Sequence, residues 1–111
     1  MNVGEIYWVE FPARGGRAQT GRRPAIVVQK EQTLPTVLLI PLTTQQDALR
    51  FAGTILIEPD SKNHLRHISV ALLFQLTAVD KTFVGNKLGI ITSDKMSEIW
   101  MAFDELMGRK K

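Results

Sequence analysis

The pair of Arg22 and Arg23 stands between Gly21 and Pro24, directly before the apolar run "AIVV". A proline restricts the residue before it to extended backbone, so Arg23 is expected to leave the mouth of a buried strand in a fixed direction. A guanidinium is planar, always protonated and able to donate to two phosphate oxygens at once. Arg23 therefore suits the stabilisation of a charged, phosphorane-like transition state and of the leaving oxygen, and it makes a poor general base.

A second pair of polar residues, Thr43 and Thr44, ends the run "TVLLIPLT" and follows it directly. A threonine hydroxyl at a strand end near Arg23 could donate to the same phosphate. The alternative for both threonines is ordinary capping of the strand end.

Two histidines, His64 and His67, occur in "NHLRH". In a chain without cysteine this HxxH spacing is a weak metal signal, and the alternative is a turn that leads into the strand at Ile68. The sequence contains no GxGxxG, no P-loop lysine motif and no GxSxG nucleophile elbow. We therefore expect no metal or other cofactor, and most standard hydrolase mechanisms are unsupported.

Basic residues are concentrated near the N-terminus. Residues 11–30 contain five basic and no acidic side chains, whereas the rest of the chain has nine basic and eleven acidic ones, so this segment carries +5 and the remainder −2. The five are Arg14, Arg17, Arg22, Arg23 and Lys30. Such a concentration favours a polyanionic partner, and the alternative is a solvated loop that aids solubility.

The elements that must position these residues are short strands followed by one helix. Alternating or continuous apolar runs bounded by glycine and proline predict strands at 5–11, 25–29, 36–43, 53–58, 68–79 (one bent strand or two) and 88–92. Pro41 suggests an edge position or a bulge near the end of its strand. The pattern predicts a mainly β fold, either a small curled sheet or a partly closed barrel, in a single domain over 1–111.

The C-terminal segment changes to helical spacing. One apolar helix face is predicted from residues at i, i+3, i+4, i+7, i+10 and i+11, namely Met96, Ile99, Trp100, Phe103, Leu106 and Met107. Ser93 is the predicted N-cap and Gly108 the predicted C-terminal cap. An open sheet of this size often covers an edge with a second copy, so we expect a homodimer. The N-terminus lacks a signal-peptide pattern and no apolar stretch approaches membrane-spanning length, so a cytoplasmic protein without membrane contact is expected.

The ordered set of these segments resembles the MazF/PemK-type toxin endoribonucleases of bacterial toxin–antitoxin pairs. The resemblance rests on "VGEIYWVEFP", on Gly-x-Arg-Pro before an apolar strand, on a strand ending in threonine, and on "SVALLFQLTAVDK" and "KLGIIT" before the final helix. It implies a small SH3-like barrel, shared with CcdB-type toxins, that works as a homodimer. It also implies metal-independent cleavage of single-stranded RNA by the substrate's own 2′-hydroxyl, and an acidic antitoxin as partner.

The resemblance assigns roles to particular residues. Arg23 matches the family's catalytic arginine and Thr43 its partner threonine, while Gln19 matches a loop glutamine near the substrate. Gln75 and Asp80 match a later signature whose role is either structural or catalytic. The glutamines of the family pattern, arginines of the basic segment 11–30 and Thr44 together make up the expected RNA-binding residues. These are Arg14, Arg17, Gln19, Arg22, Thr44 and Gln75.

The chain departs from the family pattern at three positions. Ala18 and Phe74 stand where acids are usual, and Thr77 stands where an arginine is usual. Phe74 cannot transfer a proton; it could stack on a base, but core packing is slightly favoured. Catalysis would then rest on Arg23 and Thr43, with or without help from one of the histidines.

Two other functions remain open. One is a catalytically weakened RNA-binding or regulatory relative, which the departures would explain. The other is a gyrase-poisoning toxin of the same fold, which is disfavoured because the terminal Trp-Gly-Ile of that toxin is absent here.

Overall fold

The computed structural model describes residues 1–12 and 21–109, and in these residues the secondary structure is mostly β. In chain order the strands are β1 (Glu5–Phe11), β2 (Gly21–Val27), β3 (Thr36–Thr43), β4 (Thr54–Ile57), β5 (Ser69–Leu72), β6 (Thr77–Asp80) and β7 (Val84–Ile90). Helix α1 (Ser93–Leu106) follows the last strand. The predicted class, mainly β with a C-terminal helix, is confirmed.

All these strands pair in one antiparallel sheet in the order β4-β5-β3-β2-β1-β7, with β6 added beside β3. Strand β3 is the centre of the sheet. One of its edges pairs with β2, and its other edge pairs with β6 over 36–39 and with β5 over 42–43. The chain passes from β5 to β6 through a short 3-10 turn at Leu73–Gln75, so the segment 68–79 forms two strands. Within the described residues the sheet stays open between β4 and β7.

Strand β2 is buried on both of its faces. Ile26 packs in a cluster with residues of α1, whereas Ala25 and Val27 belong to a second cluster that contains Val9 and Leu39. A strand covered on both sides requires a continuous rather than an alternating apolar run. This requirement explains why "AIVV" contains no polar residue, and the second half of β2 is buried throughout.

Strand boundaries agree with the prediction in β1 and β3 and differ elsewhere. Strand β2 begins at Gly21, because the two arginines and Pro24 already pair with β1. Strand β7 covers 84–90 rather than 88–92. Pro41 does not mark an edge, since β3 is central; it pairs with Ala25 as the last residue of the β2–β3 ladder. Of the two alternatives that Pro41 suggested, an edge position or a bulge, the edge position was wrong for this reason.

Helix α1 begins one residue earlier than predicted. Thr92, not Ser93, is the N-cap, and its hydroxyl oxygen accepts a hydrogen bond of 3.4 Å from the backbone N–H of Lys95. Gly108 has a φ of 74°, and the N–H groups of Gly108 and Arg109 donate to the carbonyls of Glu105 and Asp104. This is the glycine-terminated motif that the sequence predicted.

The apolar face of α1 is narrower than predicted. Met96, Ile99 and Phe103 are buried against the sheet. Trp100 and Met107 remain 43% and 59% exposed, so the prediction was wrong for these two side chains.

No helix in the described part of the chain is long and apolar enough to cross a membrane.

Candidate functional site

A groove of about 560 Å³ opens where β2 begins and β3 ends. Its lining comes from β1, β2, β3, β5, β7 and the loop before β5. The lining residues are Trp8, Arg22, Arg23, Pro24, Leu42, Thr43, Thr44, His64, Leu65, Arg66, His67, Ser69 and Leu88. Of the predicted site residues, four therefore share one groove: Arg22, Arg23, Thr43 and Thr44.

The register of the two central strands explains why Arg23 and Thr43 meet. Ala25 is opposite Pro41 in the antiparallel ladder, so continuing that register by two residues brings Arg23 opposite Thr43. A shift of two residues keeps the side chains on the same face of a sheet. The ladder ends at Pro41, which has no N–H to donate, and the groove opens just beyond this point.

Thr43 is the more fixed of the two threonines. Its side chain is only 4% exposed, and its hydroxyl oxygen accepts a hydrogen bond of 3.1 Å from the backbone N–H of Gln45. Because a hydroxyl can accept and donate at the same time, this contact orients the oxygen and leaves the proton as a donor. Thr44 is exposed beside it.

The groove is cationic. The guanidinium of Arg22 lies 4.5 Å from the ring centroid of Trp8, a cation–π contact that holds the arginine over the strand. Arg23 and Arg66 contribute two further positive charges. Among the described residues that line the groove there is no carboxylate, so the site has the charge and the donors to bind a phosphate.

The loop between β4 and β5 forms the opposite wall and is organised by one buried side chain, that of Asn63. Asn63 is 1% exposed. Its Oδ1 accepts from the N–H groups of Asp60 (3.1 Å) and Leu65 (2.9 Å), and its Nδ2 donates to the carbonyl of Glu58 (2.9 Å). The carboxylate of Asp60 caps the same turn. It accepts hydrogen bonds from the backbone N–H groups of Asn63 and Lys62, and these hydrogen bonds lower the pKa of Asp60.

This loop is anchored on β7. The N–H of Ile90 donates to the carbonyl of Lys62 at 3.0 Å. Gly89 makes the approach possible, because a Cβ there would collide with the backbone carbonyls of Lys62 and Asn63. The anchored loop carries His64, whose Nδ1 lies 2.8 Å from the carbonyl oxygen of Leu88.

Several predicted residues lie elsewhere or outside the described residues. Gln75 is in the 3-10 turn between β5 and β6 and is not among the residues lining the groove. Arg14, Arg17 and Gln19 fall in 13–20, outside the residues that the structure describes.

The two departures in the β5–β6 region also lie away from the groove lining. Phe74 is 41% exposed and packs against Phe51 with ring centroids 5.6 Å apart, so the expectation of core packing was wrong. Thr77 pairs with Leu39 in the sheet. Neither residue supplies a proton-transfer group to the groove.

Sequence reasoning missed Trp8, Arg66 and Asn63. Arg66 lies between the two histidines, so the histidine motif could have pointed to it. Trp8 could have been found only from the pairing of β1 with β2, which sets it opposite Pro24. Among the described residues no group of three or more His, Cys, Asp or Glu side chains could hold a metal ion.

Comparison with known proteins identifies the class of this fold. The chain superposes on MazF from Deinococcus radiodurans with a TM-score of 0.80 at 22% identity, covering 97% of this chain and 96% of that one. It also superposes on an endoribonuclease in complex with its cognate antitoxin from a mycobacterial species, with a TM-score of 0.79 at 18% identity and coverage of 100% and 98%. At these identities the likeness defines the MazF-type fold alone.

Sequence comparison identifies the family itself. Residues 2–107 match the family model described as PemK-like, MazF-like toxin of type II toxin–antitoxin system. The chain is also 30% identical over 111 residues to endoribonuclease MazF from Staphylococcus saprophyticus, covering 97% of this chain and 92% of the relative. The chain therefore belongs to the PemK-like, MazF-like toxin family of type II toxin–antitoxin systems.

Proposed function

We propose that this chain is a metal-independent endoribonuclease that cleaves single-stranded RNA, including mRNA, by attack of the substrate's 2′-hydroxyl. The observation that carries the proposal is the shared groove of Arg23 and Thr43, with Arg22 and Arg66 beside them. A relative that is 30% identical is named an endoribonuclease, which supports the same activity here.

The arrangement suits a transphosphorylation. The guanidinium of Arg23 donates to the non-bridging oxygens as negative charge grows on them, and the hydroxyl of Thr43 donates to the same phosphate. The 2′-oxygen bonds to phosphorus while the bond to the 5′-oxygen breaks. The products are a 2′,3′-cyclic phosphate and a 5′-hydroxyl.

Binding of the RNA strand uses a wider set of residues. Arg22 and Thr44 extend the donor surface of the groove, and the stacking of Arg22 on Trp8 offers a flat platform for a base. Arg14, Arg17, Gln19 and Gln75 remain proposed RNA contacts on the basis of the sequence alone.

The proposed partners are an acidic antitoxin and a second copy of the chain. A structural neighbour is described in complex with its cognate antitoxin, and a cationic groove suits an acidic antitoxin segment by charge. The exposed apolar side chains of Trp100, Met101 and Met107 on α1 support a homodimer. Because mRNA is the proposed substrate, the cytoplasm is the proposed location.

The decisive experiment is cleavage of mixed-sequence single-stranded RNA in EDTA by the protein and by Arg23→Ala. We expect 5′-hydroxyl fragments from the unaltered protein and a loss of cleavage rate of about a hundredfold or more in the variant, the size found when one transition-state donor is removed. Arg109→Ala is the matched control, because Arg109 lies at the far end of α1 and pairs with Asp104.

Each outcome decides between the candidate functions. Cleavage retained by folded Arg23→Ala would refute the assignment of the groove. RNA that is bound but left intact by the unaltered protein would favour the RNA-binding relative, which the departures at Phe74 and Thr77 make a specific second candidate.

A further inference from the structure

The backbone of His64 is unusual. It is the one non-glycine residue with positive φ in the described part of the chain, with a φ of 56°. Left-handed backbone is unfavourable for a residue with a Cβ, and such residues cluster at functional sites. Glycine would adopt this φ without the steric cost of a Cβ, so the backbone conformation does not itself require a histidine at this position.

The imidazole of His64 has a defined tautomer. Its Nδ1 lies 2.8 Å from the carbonyl oxygen of Leu88. Because a carbonyl oxygen can only accept, Nδ1 must carry the hydrogen in this contact. In the neutral ring the lone pair is then on Nε2, which makes Nε2 the basic nitrogen.

Among the described residues that line the groove, no other group is so well prepared to accept a proton. Arg22, Arg23 and Arg66 stay protonated, and no carboxylate is among the described residues that line the groove. His67 also lines the groove, but the contact with Leu88 fixes the tautomer of His64. Phe74 is outside this lining.

We infer that His64 is the general base of the cleavage reaction, which takes the proton of the attacking 2′-hydroxyl on Nε2. The inference rests on the proposed function. As the 2′-oxygen bonds to phosphorus, its proton passes to the imidazole, the bond to the 5′-oxygen breaks, and that oxygen takes a proton from water. The imidazolium then returns its proton to solvent, so protons balance over one turnover.

Charged groups on every neighbouring element act on this imidazole. On its own loop these are Asp60, Lys62, Arg66 and His67; from β2 they are Arg22 and Arg23; from β7, Lys87 flanks Leu88 and pairs with Glu5.

The test uses His64→Asn and His64→Gly, two residues that tolerate left-handed backbone and therefore keep the turn. We expect single-turnover cleavage at neutral pH to fall about a hundredfold or more in both variants. RNA binding, followed by gel shift, should change little. The unaltered protein should cleave more slowly toward acidic pH because its base is protonated there, and both variants should lack this decrease in rate.

Rescue of the cleavage rate by free imidazole distinguishes a chemical role of His64 from a structural one. Free imidazole should restore part of the cleavage rate of His64→Gly, where the missing ring leaves space, and none of the rate of Arg23→Ala. The urea midpoint of His64→Gly should stay close to that of the unaltered protein, because glycine relieves the positive φ while the contact with Leu88 is lost.

The outcomes separate this inference from the proposed function. If the unaltered protein cleaves and both variants keep its rate and pH profile, the inference is wrong and the proposed function stands. The inference is equally overturned if the decrease in cleavage rate toward acidic pH disappears in His67→Asn and persists in the His64 variants. If the unaltered protein does not cleave RNA, the proposed function fails first.

Discussion

Asn63 is predicted to be the residue on which the histidine-bearing wall of the groove depends. Replacing it with alanine removes two accepted hydrogen bonds and one donated one, all to backbone groups of residues 58–65. A hydrogen bond contributes about 1 kcal/mol net, so three suggest a loss of about 3 kcal/mol in the free energy of unfolding. The side chain is 1% exposed, so water cannot simply replace the lost contacts.

The measurement is urea denaturation followed by tryptophan fluorescence. Asn86→Ala is the control, because Asn86 is an exposed residue of β7, and its effect should stay within about 0.5 kcal/mol. Cleavage by Asn63→Ala, measured where the variant is folded, should also fall, since the turn that holds His64 is no longer fixed. A destabilisation below about 1 kcal/mol would refute the reasoning, because it would mean that the loop is held by other contacts.

Two further predictions concern β1 and β7. The pKa of Glu5 is lowered to about 2, first by the hydrogen bond from the N–H of Asn2 and then by Lys87. The ionised carboxylate therefore contributes about 3 kcal/mol to the free energy of unfolding above pH 4.5, and this contribution is lost as the pH falls toward 2. Glu5→Gln should abolish this part of the pH dependence, measured by urea denaturation at a series of pH values. Gly89→Ala should destabilise the fold by about 1–3 kcal/mol, because its Cβ would collide with the carbonyl of Asn63, and two-dimensional NMR should report shifts confined to that loop and β7.

Both predictions have controls on the same strands. Glu10→Gln alters an exposed carboxylate of β1 and should leave the pH dependence unchanged. If the free energy of unfolding of Glu5→Gln varies with pH in parallel with that of the unaltered protein, the linkage argument is contradicted. Gly85→Ala is the comparison for Gly89, since a Cβ at Gly85 would lie 3.3 Å from a single carbonyl, that of Trp8; equal destabilisation by both would contradict the loop-collision argument.

The sequence predicted the elements whose burial follows a simple period. Strands β1 and β3 were found because short runs rich in apolar, branched or aromatic residues are bounded by proline and polar residues, and the core of α1 was found because its buried residues recur at helix spacing. Strand β2 was predicted to begin too late, because two arginines read as a loop although they pair with β1. The exposed Trp100 escaped prediction because helical periodicity does not say how wide a face the sheet can cover.

Within the site, the sequence predicted the wall that carries Arg23 and Thr43 better than the opposite wall. Arg23 and Thr43 follow from strand ends and proline placement, which are local signals. The loop that bears His64 depends on a buried amide and on a close approach to Gly89, which are contacts between distant residues. Such contacts have no period, so only the folded structure reveals that both histidines join the arginines.

The two walls of the groove also differ in how they are tied to the rest of the molecule. Arg23 and Thr43 project from two central strands that pair directly with each other, so moving them apart disturbs the pairing of β2 with β3. His64 belongs to an external turn fastened at a few points, which can open on its own. Hydrogen exchange should therefore find slow amides at Ile26 and Ile40 and faster ones at 60–64. Mutations in the turn should then alter the proposed proton transfer while leaving the proposed phosphate contacts of Arg23 and Thr43 in place.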